Sequence, residues 1–374
     1  MDLFDLETAA PVQRLYECSG PRLEYPSALV SDAGGAPITL AGMRILLTRE
    51  TPTDTPQYLI LSWPSSGGGA PSEVQISDFP HPHPQLVAPP KELIRYSRAD
   101  GVELSATLYT PPGWRAGIDP PLPCLMNAYP KEFKTKEAAG QLRDSPHRFT
   151  SIAALSPLVW LARGYAVLDG PSLPIVADGE REANDTYVEQ LVAGAEAAVA
   201  EAVRRGVVDA RRVAVSGRSY GAYMTANLTA HAAHLFCCGI AAAGAYNRTL
   251  TPFGFQAEER TLWQAPDTYL RMSPFMHADR ITTPLLLIHG EEDNNAGTFP
   301  LQSERFFAAL KGHGAECRLV LLPHESHGYR GYESVLHVLA ETSDWLDAHT
   351  QLPPGATPRD AAASHLAPAA PPAA

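Results

Sequence analysis

Arg211-Arg212-Val213-Ala214-Val215-Ser216-Gly217-Arg218-Ser219-Tyr220-Gly221-Ala222-Tyr223-Met224 decides how this chain is read. It predicts a short buried strand, a tight turn carrying Ser219, and the first turn of a helix. Within it, Gly217-Arg218-Ser219-Tyr220-Gly221 fits the nucleophile-elbow pattern G-x-S-x-G. The glycines have a steric reason. A serine lifted clear of the backbone sits in a strained turn, and the residues two before and two after it lie where strand and helix approach most closely. The pattern is short and recurs by chance, so its weight comes from its place between an apolar strand and a helix of small residues.

Two more strand ends carry chemistry. The apolar run Leu285–Ile288 leads into His289-Gly290-Glu291-Glu292-Asp293-Asn294-Asn295. Leu319–Leu322 leads into Pro323-His324-Glu325-Ser326-His327-Gly328. Open α/β sheets place their sites at the carboxyl ends of strands, so Ser219, Asp293 and His327 are expected to converge there, in the Ser, Asp, His order of α/β-hydrolases. Serine is a poor nucleophile at neutral pH. A histidine that removes its proton, held by a carboxylate, makes it a good one. Each residue also has a plain reading as a turn, a cap or a solvated loop group. His324 competes with His327, Glu291 and Glu292 compete with Asp293, and Ser216 stands beside the elbow.

The rest of the chain supplies the sheet. Glu92–Tyr96 and Glu103–Tyr109 predict a hairpin around Arg98–Gly101. Leu122–Tyr129, Tyr165–Asp169 and Cys238–Ala243 read as further strands. Val188, Leu191, Val192, Ala195, Val199, Ala202 and Val203 share one helical face, with Asn184 or Asp185 as the cap and Gly206 as the stop. Helices are also expected over residues 298–311 and Tyr332–His349. This alternation predicts a mostly parallel, doubly wound sheet over residues 91–350.

Residues 1–90 differ. Met43–Arg49, Gln57–Trp63 and Val74–Ser77 are β-prone pieces separated by Pro, Gly and Ser clusters, enough for one or two propeller blades. His81-Pro82-His83-Pro84 reads as a linker, since no cysteine or carboxylate stands at metal-ligand spacing. The Ala- and Pro-rich tail 351–374 is expected to be disordered.

Composition narrows the function. A net charge of −12 argues against a nucleic-acid partner, which needs a basic face. No apolar run reaches membrane-span length. The five cysteines (18, 124, 237, 238 and 317) are odd in number and lack C-x-x-C spacing, which predicts free thiols in a reducing compartment. The acidic start Met1–Glu7 has neither the basic n-region of a signal peptide nor the character of a transit peptide.

The elbow run through Met224, the His289–Asn295 segment and His324–Tyr329 together resemble the prolyl oligopeptidase family of serine peptidases. Phe236–Ile240 and Gly244–Gln256 are similar, more narrowly, to the glutamyl endopeptidase group of plant chloroplasts. The resemblance implies an α/β-hydrolase fold, with Ser219 as nucleophile, Asp293 as orienting acid and His327 as base. It implies an oxyanion hole made by the Tyr129 hydroxyl and the Tyr220 backbone N–H. It also implies peptide or protein substrates with glutamate before the cut bond, and no metal or organic cofactor. Arg248 is the foremost candidate to bind the glutamate, with Arg260 and Arg218 behind it and Asn295 as a further substrate-binding residue. The implied localisation is cytoplasmic or plastid stromal. The family's peptidases carry a propeller of several hundred residues where this chain has about 90, so a fragment, an incomplete gene or a reduced relative is expected. A carboxylesterase or acyl-peptide hydrolase would share the same triad, and an inactive binding relative is the alternative from another class.

Overall fold

In the computed structural model, the described residues are 1–5, 7, 8, 10–30, 39–65, 69–84, 86, 88–141, 144–179 and 181–351. The expected disordered tail lies, past Gln351, outside them. The chain divides into two units, Met1–Ala88 with Arg143–Ser151, and Pro89–Leu142 with Ile152–Ala374.

The first unit holds a four-stranded antiparallel meander: β1 (Leu23–Val30), β2 (Arg44–Glu50), β3 (Gln57–Ser62) and β4 (Ser72–Gln75). Four antiparallel strands are what one propeller blade contains. Ile45, Leu47, Leu59, Leu61 and Trp63 form its core. The sequence reading missed β1, and Pro26 is the reason. A proline suits an edge strand or a bulge, and the register with β2 shifts between Pro26 and Ala28.

The second unit is built on an eight-stranded sheet. Its strands are β5 (Lys91–Ser97), β6 (Glu103–Tyr109), β7 (Leu122–Asn127), β8 (Ala166–Asp169), β9 (Val208–Arg218), β10 (Cys238–Ala242), β11 (Leu285–Gly290) and β12 (Cys317–Leu322). The spatial order is β12-β11-β10-β9-β7-β8-β6-β5. The six strands from β12 to β8 are parallel, and β5 and β6 add an antiparallel hairpin at one edge.

Side-chain alternation shows why both faces are covered. Val213 and Val215 of β9 pack into a cluster with Leu191, Ala195 and Ala198 of α1 (Tyr187–Arg204) and Tyr220 and Tyr223 of α2 (Tyr220–His231). Ala214, between them, faces the opposite way, into a cluster with Trp160 and with Val338 and Leu346 of a helix over Tyr332–Thr350. Likewise Leu285 and Leu287 meet Phe306 and Leu310 of the helix Pro300–Gly312, while Leu286 and Ile288 join the opposite cluster. Strand segments buried on two faces read as unbroken apolar runs, as Val213–Val215 of β9 and Leu285–Ile288 of β11 do.

One cap is corrected. The residue before α1 is Thr186, and Asn184 and Asp185 lie in a preceding 3₁₀ turn, Ala183–Thr186. Asp185 is turned to other partners, accepting hydrogen bonds from Arg260 and Thr268 at 2.8 Å each. Among the described residues, no helix is long and apolar enough to cross a membrane.

Candidate active site

Ser219 stands between β9 and α2 with φ 58° and ψ −118°, a conformation costly for a residue with a side chain. Its N–H donates to the Ala242 carbonyl at 2.9 Å, and its carbonyl accepts from Ala222 and Tyr223 in the first turn of α2. The flanking glycines are obligatory. A Cβ on Gly217 would lie 2.4 Å from the backbone of Gly221, and one on Gly221 would lie 2.5 Å from the Ala128 carbonyl oxygen. Ser216, the rival serine, instead donates to the Asn127 side chain at 3.2 Å from within the strand.

The loops after β11 and β12 meet. His327 Nδ1 lies 2.8 Å from Asp293 Oδ2. Asp293 is buried and also accepts from Thr298 Oγ1 at 3.0 Å and from the Asn295 N–H at 2.9 Å. Burial pushes its carboxyl up, but the hydrogen bonds from His327, the Asn295 amide and Thr298 outweigh this and hold it below the usual carboxylate range. Gly290 permits the loops to close, since a Cβ there would lie 2.3 Å from the Glu325 carbonyl oxygen. Glu325, itself buried, fixes the turn after His327 by accepting from the N–H groups of Arg330 and Gly331 at 2.8 and 2.7 Å. The competitors stand apart from this network. His324 is exposed and pairs with exposed Glu292 at 3.0 Å, and Glu291 is exposed as well.

Two residues of this network were missed in the sequence reading. One is Thr298, which lies within hydrogen-bonding distance of both Asp293 and His327. The other is His289, wholly buried at the end of β11. Its Nε2 faces two acceptors, Asp293 Oδ2 at 3.1 Å and the Thr298 carbonyl at 2.5 Å, so Nε2 carries the hydrogen. Its Nδ1 accepts from Ser303 Oγ at 2.6 Å. A histidine inside an otherwise apolar strand was the available signal, because a buried polar group needs partners.

His289 gives a testable pH dependence. Burial lowers its pKa, with Asp293 pulling the other way. The unfolded chain takes up a proton near pH ~6.5 that the folded chain resists, so this stability is present above ~6.5 and is lost as pH falls toward the folded pKa. His289→Gln should cost roughly 1–3 kcal/mol at neutral pH. It should also flatten the fall in denaturant midpoint between about pH 7.5 and about pH 5. A wild-type slope in the variant would contradict this assignment.

A cavity of about 430 Å³ opens on Ser219 and Tyr220 and is also lined by Arg248, Phe253, Gln256 and Asn295, among others. Tyr220 heads α2, so its N–H has no acceptor within the helix. Its own hydroxyl donates to Glu132 at 2.6 Å. Tyr129 is half exposed, its ring edge-on to Tyr220 at 5.7 Å. The Tyr129 hydroxyl accepts from Gln256 Nε2 at 3.3 Å, which leaves its own hydrogen free to donate.

The arginines divide by what holds them. Arg248 is buried, stacked over Tyr223 at 4.1 Å and Phe255 at 4.3 Å. Its Nε has no hydrogen-bond partner, and no carboxylate among the described residues lies within ion-pairing distance of it. Arg260 is absent from the cavity lining, and its guanidinium is held by Glu258 and Asp185, each at 2.8 Å. Arg218 donates to the His327 carbonyl, tying the elbow to the His327 loop. Asn295 lines the cavity, with its side-chain oxygen accepting from Gly297 N–H at 3.1 Å.

The chain has counterparts in sequence and in fold. The chain is 57% identical over 350 residues to a protein of Oryza sativa subsp. japonica named "Probable glutamyl endopeptidase, chloroplastic", covering 93% of this chain and 37% of that protein. The same name and identity hold for an Arabidopsis thaliana relative, covering 93% of this chain and 36% of that one. The chain thus spans little more than a third of the length of these relatives. Among solved structures, a putative dipeptidyl aminopeptidase IV of Bacteroides ovatus matches with TM-score 0.66 at 16% identity, over 82% of this chain and 42% of that one. The acylaminoacyl peptidase of Pyrococcus horikoshii matches with TM-score 0.61 at 17% identity, over 92% and 52% respectively. At such identities the likeness shows the fold, which is the α/β-hydrolase fold. The model of the prolyl oligopeptidase family matches residues 177–352, the stretch that holds the elbow and the Asp293 and His327 loops. Residues 177–352 of this chain are thus a prolyl oligopeptidase family domain.

Proposed function

We propose that this chain is a serine peptidase that cleaves after glutamate through an acyl-enzyme, with residues 91–350 as its catalytic domain. Ser219 attacks the scissile carbonyl. His327 takes the serine proton at Nε2 and returns it to the leaving amine, while Asp293 holds Nδ1 and stabilises the imidazolium. The Tyr220 N–H and the Tyr129 hydroxyl receive the tetrahedral oxyanion. Every group in this scheme is a side chain or a backbone amide, so the chemistry calls for no metal or organic cofactor.

The observation that carries the reading is Arg248. It lines the cavity that opens on Ser219, it is buried, and its Nε has no partner. Buried charges are ordinarily paired. A carboxylate entering the cavity would supply the missing acceptor through two aligned hydrogen bonds, which suits guanidinium geometry. The net charge of −12 repels acidic substrates at a distance, but salt screens that over a Debye length of ~8 Å and leaves the local cation to decide. Asn295 contributes to the cavity wall beside it. Substrates are peptides or proteins. The proposed setting is a reducing compartment, plastid stroma or cytoplasm, which accords with five free cysteines and with the relatives' chloroplastic names.

A fluorophosphonate probe followed by a peptide-library digest tests this. The expected result is one covalent label on Ser219 and cleavage after glutamate. No label would leave a binding protein, and label with ester turnover but no peptide cleavage would leave an esterase. Tyr129→Phe keeps the ring and removes one oxyanion donor. It should lower kcat on the order of 10²-fold or more with KM changed far less. Wild-type turnover with a shifted Tm would make Tyr129 merely structural.

A further inference from the structure

We propose that Leu250, Phe253 and Trp263 form a second subsite that takes a large apolar side chain next to the glutamate. The preferred substrates are then peptides pairing an acidic residue with an apolar neighbour. This rests on the reading that Arg248 receives the glutamate.

The three residues are exposed in a way that single surface apolar residues are not. Phe253 is 78% exposed, Trp263 69% and Leu250 49%. The two rings pack on each other with centroids 5.6 Å apart, so the exposed surface is contiguous. Scattered exposed apolar residues are ordinary, whereas a contiguous patch marks a contact site. Its position says which contact. Leu250 and Phe253 line the same cavity as Ser219 and Arg248, so a peptide placed for attack, with its acidic side chain on Arg248, carries its neighbouring side chains past these rings.

The backbone around the rings is fixed. The Leu262 N–H donates to the Pro252 carbonyl at 2.8 Å, and Phe255 and Glu258 exchange two backbone hydrogen bonds at 3.1 and 2.8 Å. The Gly254 N–H donates to the Tyr269 hydroxyl at 2.9 Å. Gly254 has φ 99°, and a Cβ there would lie 2.6 Å from the Glu258 carbonyl oxygen. A loop pinned at these points holds Phe253 and Trp263 outward before any ligand arrives. Rigid aromatic side chains with few torsions lose little entropy on binding, which suits them to recognition.

The test is a positional-scanning peptide library with glutamate fixed before the cut bond and the flanking positions varied, digested by the 374-residue chain. At one flanking position, Phe or Leu should be favoured over Ser or Asn by about tenfold in kcat/KM. In Phe253→Ser combined with Trp263→Ser that ratio should fall to about twofold or less. Phe253→Leu, which stays apolar, should keep a ratio between the two. Equal rates for apolar and polar flanks, or a preference that survives the double substitution, would overturn the subsite and leave the patch as a contact for another protein segment. Cleavage of glutamine- or leucine-fixed libraries but not the glutamate-fixed one would overturn the Arg248 reading instead, and this proposal with it.

Discussion

Ser219→Ala should abolish fluorophosphonate labelling and lower kcat on the order of 10⁶-fold. His327→Ala should do comparable damage, and the double variant should be little worse than either. A nucleophile without its base, or a base without its nucleophile, leaves only the oxyanion donors and binding to accelerate the reaction. Asp293→Ala should be milder, roughly 10⁴-fold, because it removes the group that orients His327 and leaves the proton acceptor in place. His324→Ala is the control. Its ring is exposed and pairs with the exposed Glu292, so turnover should stay within about twofold of wild type. Steady-state kinetics on one fluorogenic peptide checks all five variants. If His324→Ala is crippling and His327→Ala is not, the base has been misassigned.

Arg248→Met should cut kcat/KM for a Glu peptide by at least tenfold while sparing Gln and Leu peptides. Hydrogen bonds to a charged group are worth about 1.5–3 kcal/mol each, or roughly 10- to 150-fold. Methionine preserves most of the contact with the rings of Tyr223 and Phe255 that flank the guanidinium. Equal losses on all three peptides would make Arg248 a packing residue. The contrasting control is Arg260→Met. With Glu258 and Asp185 as its partners, it should reduce stability without changing the ranking of the three peptides.

Much of this was legible in the sequence because steric and periodic demands leave marks. The elbow glycines are fixed by contacts of 2.4 and 2.5 Å that a methyl group would create. The first, between Gly217 and Gly221, is local along the chain, while the second, from Gly221 to the Ala128 carbonyl, is made by the fold. The strands β9 and β11 were legible from their apolar runs Val213–Val215 and Leu285–Ile288, since burial on two faces favours unbroken apolar sequence. What was not legible depends on where distant loops meet. His324 and His327 are three residues apart and chemically alike, and only the fold turns one to Asp293 and the other to solvent. Arg248 lies in the family-like run Gly244–Gln256 and Arg260 just past it, yet only the fold brings Asp185 to Arg260 from 75 residues away. His289 could have been suspected as a polar residue in an apolar strand, but its three partners come from beyond the strand. The proline in β1 hid that strand because proline ordinarily argues against a strand paired on both sides, and β1 lies at the edge of its sheet.

The most direct test of the central claim is the kcat/KM ratio of the wild-type chain on two peptides differing only by Glu or Gln before the cut bond. The pair is nearly isosteric, so the ratio isolates the carboxylate charge. A buried guanidinium whose Nε lacks a hydrogen-bond partner, lining the cavity that opens on Ser219, predicts a ratio of at least tenfold in favour of Glu. A ratio near one, with both peptides cleaved by the same Ser219-dependent activity, would contradict it.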